Sequence, residues 1–158
     1  MATNIRIQVD DKQLQQALRI APTRIINAMH KSLTNTAIET QNNFKIEIRK
    51  NGSINTGRLW QKIPFVFHNK LSVTVGPSMP YAIFVEKGTK PHWTSVREGT
   101  SLRDWADKKK INPYALQRSI ARKGTKAHPF EKKVADKTVR FAQRDMQHQL
   151  DKTIKEIL

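Results

Sequence analysis

Lys70-Leu71-Ser72-Val73-Thr74-Val75-Gly76-Pro77-Ser78-Met79-Pro80-Tyr81-Ala82-Ile83-Phe84-Val85-Glu86-Lys87-Gly88-Thr89 is the stretch whose reading decides the fold. Leu71, Val73 and Val75 alternate with Ser72 and Thr74, the period-two pattern of a half-buried strand. Gly76-Pro77 and Met79-Pro80 then break the chain. Tyr81–Val85 is a short apolar run with β-branched and aromatic side chains, and it reads as a further strand ending near Glu86 and Gly88. Ile63-Pro64-Phe65-Val66-Phe67 supplies a strand before them, with Pro64 at an edge or entry position. His68-Asn69-Lys70 fits the hairpin turn between.

Working outward, Asn4–Val9 alternates and predicts a short N-terminal strand. Asp10 and Gln13 suit a capping box for a helical face of Leu14, Ala17, Leu18 and Ala21. Pro22 predicts a kink or restart. Ile25, Ile26, Met29, Leu33, Ala37, Thr40, Phe44 and Ile48 then recur at three- and four-residue steps, predicting a long helix from Pro22 to about Arg49. Lys50–Gly57 is a loop by composition. A second helical region falls at about 100–123. Thr100 or Ser101 can cap its first helix, and Asn112-Pro113 starts its second. After Gly124–His128, Pro129 opens a last helix to about Ile157, with Phe130, Val134, Thr138, Phe141, Met146, Leu150, Ile154 and Ile157 along one face. The chain shows no internal repeat and no low-complexity tail. The expectation is one α+β domain over residues 1–158. It has an antiparallel meander of three to four strands, packed by long N- and C-terminal helices, with a projecting helical insert.

The chain has 158 residues, 29 Lys and Arg against 13 Asp and Glu, a net charge of +16 and no cysteine. The absence of cysteine excludes disulfides, thiolate zinc sites and cysteine nucleophiles. No run reaches the roughly 18 apolar residues of a membrane span, and the N-terminus lacks a secretory core. A soluble protein retained in the cytoplasm is expected. Residues 101–158 carry 15 basic and 7 acidic side chains, half of the net charge. Such an excess suits nucleic acid or an acidic protein surface.

Catalytic arrangements are missing. His30, His68, His92, His128 and His148 are scattered, the carboxylates are not paired for acid/base work, and the six glycines form no phosphate loop. No enzyme, cofactor or metal is expected. Two features could meet nucleic acid. One is the helix pair 102–122, a helix-turn-helix in outline, with Arg118, Arg122 and Lys123 late in its second helix. The other is Lys132, Lys133, Lys137, Arg140 and Arg144, lying mostly off the apolar face of the last helix. Contact there would be with phosphates and not base edges. A basic DNA-binding module using the insert and last helix is therefore the alternative function.

Three segments together resemble the neck and tail-completion proteins of tailed bacteriophages, the head–tail joining and minor tail protein Z type. They are Thr56-Gly57-Arg58-Leu59, then Tyr81-Ala82-Ile83-Phe84-Val85-Glu86-Lys87-Gly88-Thr89, then Gly124-Thr125-Lys126-Ala127-His128-Pro129-Phe130. The resemblance covers residues 5–145, and its most specific part is the run from Tyr81-Ala82 to Val85-Glu86-Lys87-Gly88-Thr89. It implies a non-enzymatic virion protein, assembled in the host cytoplasm. It also implies a homo-oligomeric ring, hexameric or dodecameric, that joins other neck or tail proteins. The segment 90–123 departs from the shorter pattern, although some relatives carry a helical insert with a pair like Trp105-Ala106. The residues have physical readings of their own. Gly57 turns the chain, Tyr81 and Phe84 offer apolar contacts, and Ala82 admits a close helix. Gly88 ends the strand, and Pro129 starts a helix that Phe130 anchors. Glu86 either pairs with a base such as Arg58 or is an exposed strand-end charge.

Overall fold

The computed structural model describes residues 5–8, 22–53 and 55–157. The expected capping box and helical face between Asp10 and Ala21 lie outside them. Strand β1 is Ile5–Gln8, helix α1 Pro22–Lys50, short helix α2 Arg58–Gln61, β2 Phe65–Asn69 and β3 Ser72–Val75. Helices α3 Ala82–Lys87, α4 Ser101–Lys108, α5 Pro113–Lys123 and α6 Glu131–Ile157 follow. The fold is mixed helix and antiparallel sheet framed by the long α1 and α6, as the patterns predict.

The successive-strand meander does not form. β2 and β3 make a hairpin, and β1 lies antiparallel on the far edge of β3, giving the order β1-β3-β2. The turn falls at Lys70-Leu71, one step later than expected. Asn69 stays in the strand beside an irregularity after Phe67, and its Oδ1 accepts from Leu71 N at 2.8 Å.

The expected third strand of the run, Tyr81–Val85, is helix α3. Ala82 N donates to Met79 O, and Val85 N donates to Tyr81 O. A five-residue apolar run fits either state, and burial at four-residue spacing decides it. Ala82 and Glu86 face inward, whereas Tyr81 and Phe84 are 40% and 57% exposed. Tyr81 and Phe84 are thus surface residues and not the core contacts expected. Gly88 ends a helix, not a strand, and Gly57 turns the chain into α2 ahead of β2.

Helix α1 is the central beam, about 43 Å long at 1.5 Å per residue. Leu33, Ala37, Phe44 and Ile48 join Val73 and Val75 of the sheet, Leu59, Ile63 and Ala82, and Phe130 and Val134 in one buried cluster. Helix α6 runs antiparallel along α1. Phe130 meets Phe44 edge-on at 6.0 Å, Thr138 meets Thr40 at 2.9 Å, and Met146 and Leu150 reach Ile25 and Met29. Small polar residues here (Ser32, Thr36, Thr40) keep the two helices close. Among the described residues no helix is long and apolar enough to cross a membrane.

The last helix is the one place where the expected basic surface is altered. Lys132, Lys133, Arg140 and Arg144 are exposed, but Lys137, whose side chain is 41% exposed, is tied across to α1, donating to Glu47 Oε1 at 2.7 Å. The Glu47 side chain is only 5% exposed. The Lys137 hydrogen bond holds its carboxyl below the ordinary value of 4.5, against the opposing effect of burial and with help from the charges of Lys137, Lys50 and Lys133. A lowered native pKa means stability that is present above the unfolded value and lost as pH falls through the native one. Wild type should therefore lose its stability difference from Glu47→Gln as the pH drops below about 4.5. Thermal melts of both proteins between neutral and acid pH check this; a pH-independent difference would contradict it.

Candidate functional site

The three resembling segments gather where α3, α5 and α6 meet. Helix α3 stops at Gly88 and α5 stops at Gly124, with nearly the same backbone angles (φ 73°, ψ −177° and φ 72°, ψ −161°). This region is essentially reserved for glycine. The two chain exits then cross as an isolated antiparallel bridge. Thr89 N donates to Thr125 O at 3.2 Å, Thr125 N donates back to Thr89 O at 3.3 Å, and the two hydroxyl oxygens lie 3.0 Å apart. A side chain on Gly88 would strike the Thr125 carbonyl, and one on Gly124 would strike the Thr89 carbonyl.

This crossing exposes a repeat that the sequence holds openly. Lys87-Gly88-Thr89-Lys90-Pro91-His92 and Lys123-Gly124-Thr125-Lys126-Ala127-His128 share five of six letters. The structure pairs each copy with the other as a clasp. The expectation of no internal repeat is thus corrected for this short motif, and the identical tetrapeptide Lys-Gly-Thr-Lys is the signal that could have found it.

Glu86 does neither of the things expected of it. It is 9% exposed, and its Oε2 accepts from Phe130 N at 2.8 Å and from Glu131 N at 3.2 Å. It thus satisfies two of the orphan amides at the start of α6, which begins at Glu131, two residues past Pro129. Arg58 is exposed and makes no ion pair among the described residues. Asn51, just past α1, closes the other side of the same loop. Its Nδ2 donates to Pro129 O at 2.8 Å and to His128 O at 3.3 Å, while His128 N donates to Val85 O at 2.9 Å. Burial, and secondarily the nearby Glu86 charge, push the Glu131 carboxyl up, against the opposing charge of Lys87.

Glu86→Ala should leave the buried Phe130 amide and the part-buried Glu131 amide without their acceptor and cost about 2 kcal/mol. Glu86→Gln, which keeps one acceptor oxygen, should cost less. Urea denaturation of both checks this, and an equal effect of the two substitutions would contradict the capping role.

The first motif segment joins this group through a cleft of about 610 Å3. Thr56, Gly57, Arg58 and Leu59 form one wall, and Tyr81 and Val85 of α3 form another. Leu59 is buried, while Thr56 and Arg58 are exposed. A neighbouring open cleft of about 440 Å3 is bounded by Phe84, Trp105 and His128. The insert stands over both. Thr100 caps α4 and Asn112 caps α5 with Pro113 in its first turn, as the sequence predicts. Asp104 is in the first turn of α4, and Asp107 lies near its end. Asp107 pairs with Arg103 at 2.9 Å.

Arg118, Arg122 and Lys123 are exposed on α5. On α6, Lys132, Arg140 and Arg144 share a row at four-residue steps, and Asp136 interrupts that row. Among the described residues, no three His, Asp or Glu side chains gather as they would to hold a metal ion. Comparison with models of protein families, with curated proteins and with solved structures found no match.

Proposed function

We propose that this protein is a structural component of tailed-phage virions that completes the tail or joins it to the head, acting as a homo-oligomeric ring at the neck. The observation that carries the reading is the convergence of the three resembling segments. Thr56–Leu59 and α3 wall one cleft, and Val85–Thr89 is bound to Gly124–Phe130 through the clasp and the Glu86 cap. Segments that are far apart in sequence thus make one built unit, and the chemistry of that unit is architectural. Its polar groups are spent on holding backbone to backbone.

The sheet supports assembly as well. β2 lies at an edge, with Val66 55% exposed on it. An edge strand with an exposed β-branched side chain is suited to pairing with the next copy in a ring. The exposed lysines and arginines face a channel carrying DNA or the acidic surface of a neighbouring virion protein. The alternative, a dedicated DNA-binding module, draws on Arg118, Arg122 and Lys123.

Disrupting the gene in its phage tests the choice. The neck reading expects filled heads and finished tails that fail to join, with joining restored in the lysate by purified protein. Normal virions from the disrupted phage would overturn it.

A further inference from the structure

We infer that the insert carries a binding site for single-stranded nucleic acid, in the cleft between Trp93–Arg97 and the start of α5. This goes beyond the neck assignment and does not rest on it. The cleft holds about 460 Å3, with Trp93, Arg97, Tyr114 and Gln117 among its walls. Trp93 is 71% exposed and Tyr114 60%, the two most exposed large apolar side chains among the described residues.

Their exposure is built in. The backbone on either side of Trp93 is pinned to α5: His92 N donates to Ile120 O at 3.4 Å, Gln117 Nε2 donates to Thr94 O, and Val96 is buried. At the other wall, Asn112 Oδ1 accepts from Tyr114 N at 2.9 Å, fixing the first turn of α5. Two aromatic side chains are thereby held largely in water around one cleft. An isolated exposed ring is common; two rings on pinned backbone around one cleft suggest a flat ligand.

The charge says which flat ligand. No carboxylate lines the cleft. Arg97 is in its wall. Tyr114, Arg118 and Arg122 follow one another at four-residue steps on α5, so they form one row about 6 Å apart. None of these three arginines makes an ion pair among the described residues, whereas Arg103 nearby is matched by Asp107. Of the exposed acids nearby, Glu98 adjoins Arg97 in sequence and Asp107 is already paired with Arg103. The row leads to Lys123 and on to the clasp, where Lys87, Lys90 and Lys126 are all exposed. Two exposed aromatic side chains at a cleft with a basic track leading from it is the combination that binds an unpaired strand, with bases stacked and phosphates paired. A duplex hides its base faces. A compact acidic peptide would occupy the cleft but not the track.

Fluorescence anisotropy with a labelled short oligothymidylate tests this. The duplex of equal length, heparin and polyglutamate serve as competitors. The oligonucleotide should bind best and quench tryptophan emission. Trp93→Ala should weaken its binding roughly tenfold while leaving heparin binding and the melting temperature unchanged. Arg118→Gln with Arg122→Gln should weaken oligonucleotide and heparin together and lower the salt slope by about two. Equal binding of duplex and oligonucleotide with no effect of Trp93→Ala would overturn the site. So would preference for polyglutamate, or failure to bind the oligonucleotide.

Discussion

Replacing Gly124 with alanine should cost about 3 kcal/mol or more, among the largest effects of any single-methyl change in this chain. Two penalties add. The backbone at φ 72° and ψ −161° suits glycine almost alone. The new methyl would also land on the Thr89 carbonyl, which is backbone and cannot swing aside like a side chain. Relief requires opening the Thr89–Thr125 bridge, which separates α3 from α5. Gly88→Ala should behave alike, because its methyl meets the Thr125 carbonyl from the opposite side. The two substitutions break the same contact, so the double variant should cost clearly less than the sum of the singles. Urea denaturation of the three proteins measures this. Full additivity, or a cost below about 1 kcal/mol for either single variant, would show that the crossing is looser than described.

The second large effect is Phe130→Ala, expected to cost about 3–5 kcal/mol. Phe130 is fully buried, stands edge-on to Phe44 of α1 and belongs to the same cluster as Val73, Val75 and Val134. Its removal would leave a cavity where α6 meets the beam. Its own amide is the one that Glu86 holds at 2.8 Å. Packing and capping therefore fix one residue from two directions. Glu86→Ala should cost less in a Phe130→Ala background than in wild type, since the cap loses its purpose once the helix start is free to shift. Equal costs in the two backgrounds would mean that cap and anchor act separately.

The long helices, the hairpin strands and the insert were legible in the sequence because each is set by local rules. Pro22 starts α1, Asn112-Pro113 starts α5, and the alternation through Val75 makes a strand, whatever lies around them. Tyr81–Val85 was not legible. Its residues favour a strand, and it becomes a helix because Glu86 must reach the start of α6 while Ala82 packs in the core. That requirement comes from Phe130, 44 residues away, and no local pattern carries it. The site residues divide in the same way. Gly88, Gly124 and Phe130 can be picked out as special, but their partners cannot, and Glu86 is neither an Arg58 partner nor an exposed charge but a buried cap. Lys137 belongs with it: one residue of an apparently basic face is bonded to Glu47, whose burial depends on the packing of α1 against α6.

The repeated Lys-Gly-Thr-Lys shows a different limit. Its letters are plain, yet their meaning lies in the two copies touching. Two glycine-ended helices leave the same conformation and pair across one bridge, which locks the insert to the body. The cleft beside it and the edge of β2 are then presented by a rigid frame, which suits a subunit that must hold its shape in an assembly.

Sedimentation velocity with negative-stain imaging, on the purified protein alone and mixed with tail tubes, is the most direct test of the neck assignment. The neck assignment predicts a discrete closed ring, formed by the protein itself or seated on the tube end. A monomer under both conditions, binding duplex DNA tightly and sequence-selectively at physiological salt, would contradict it.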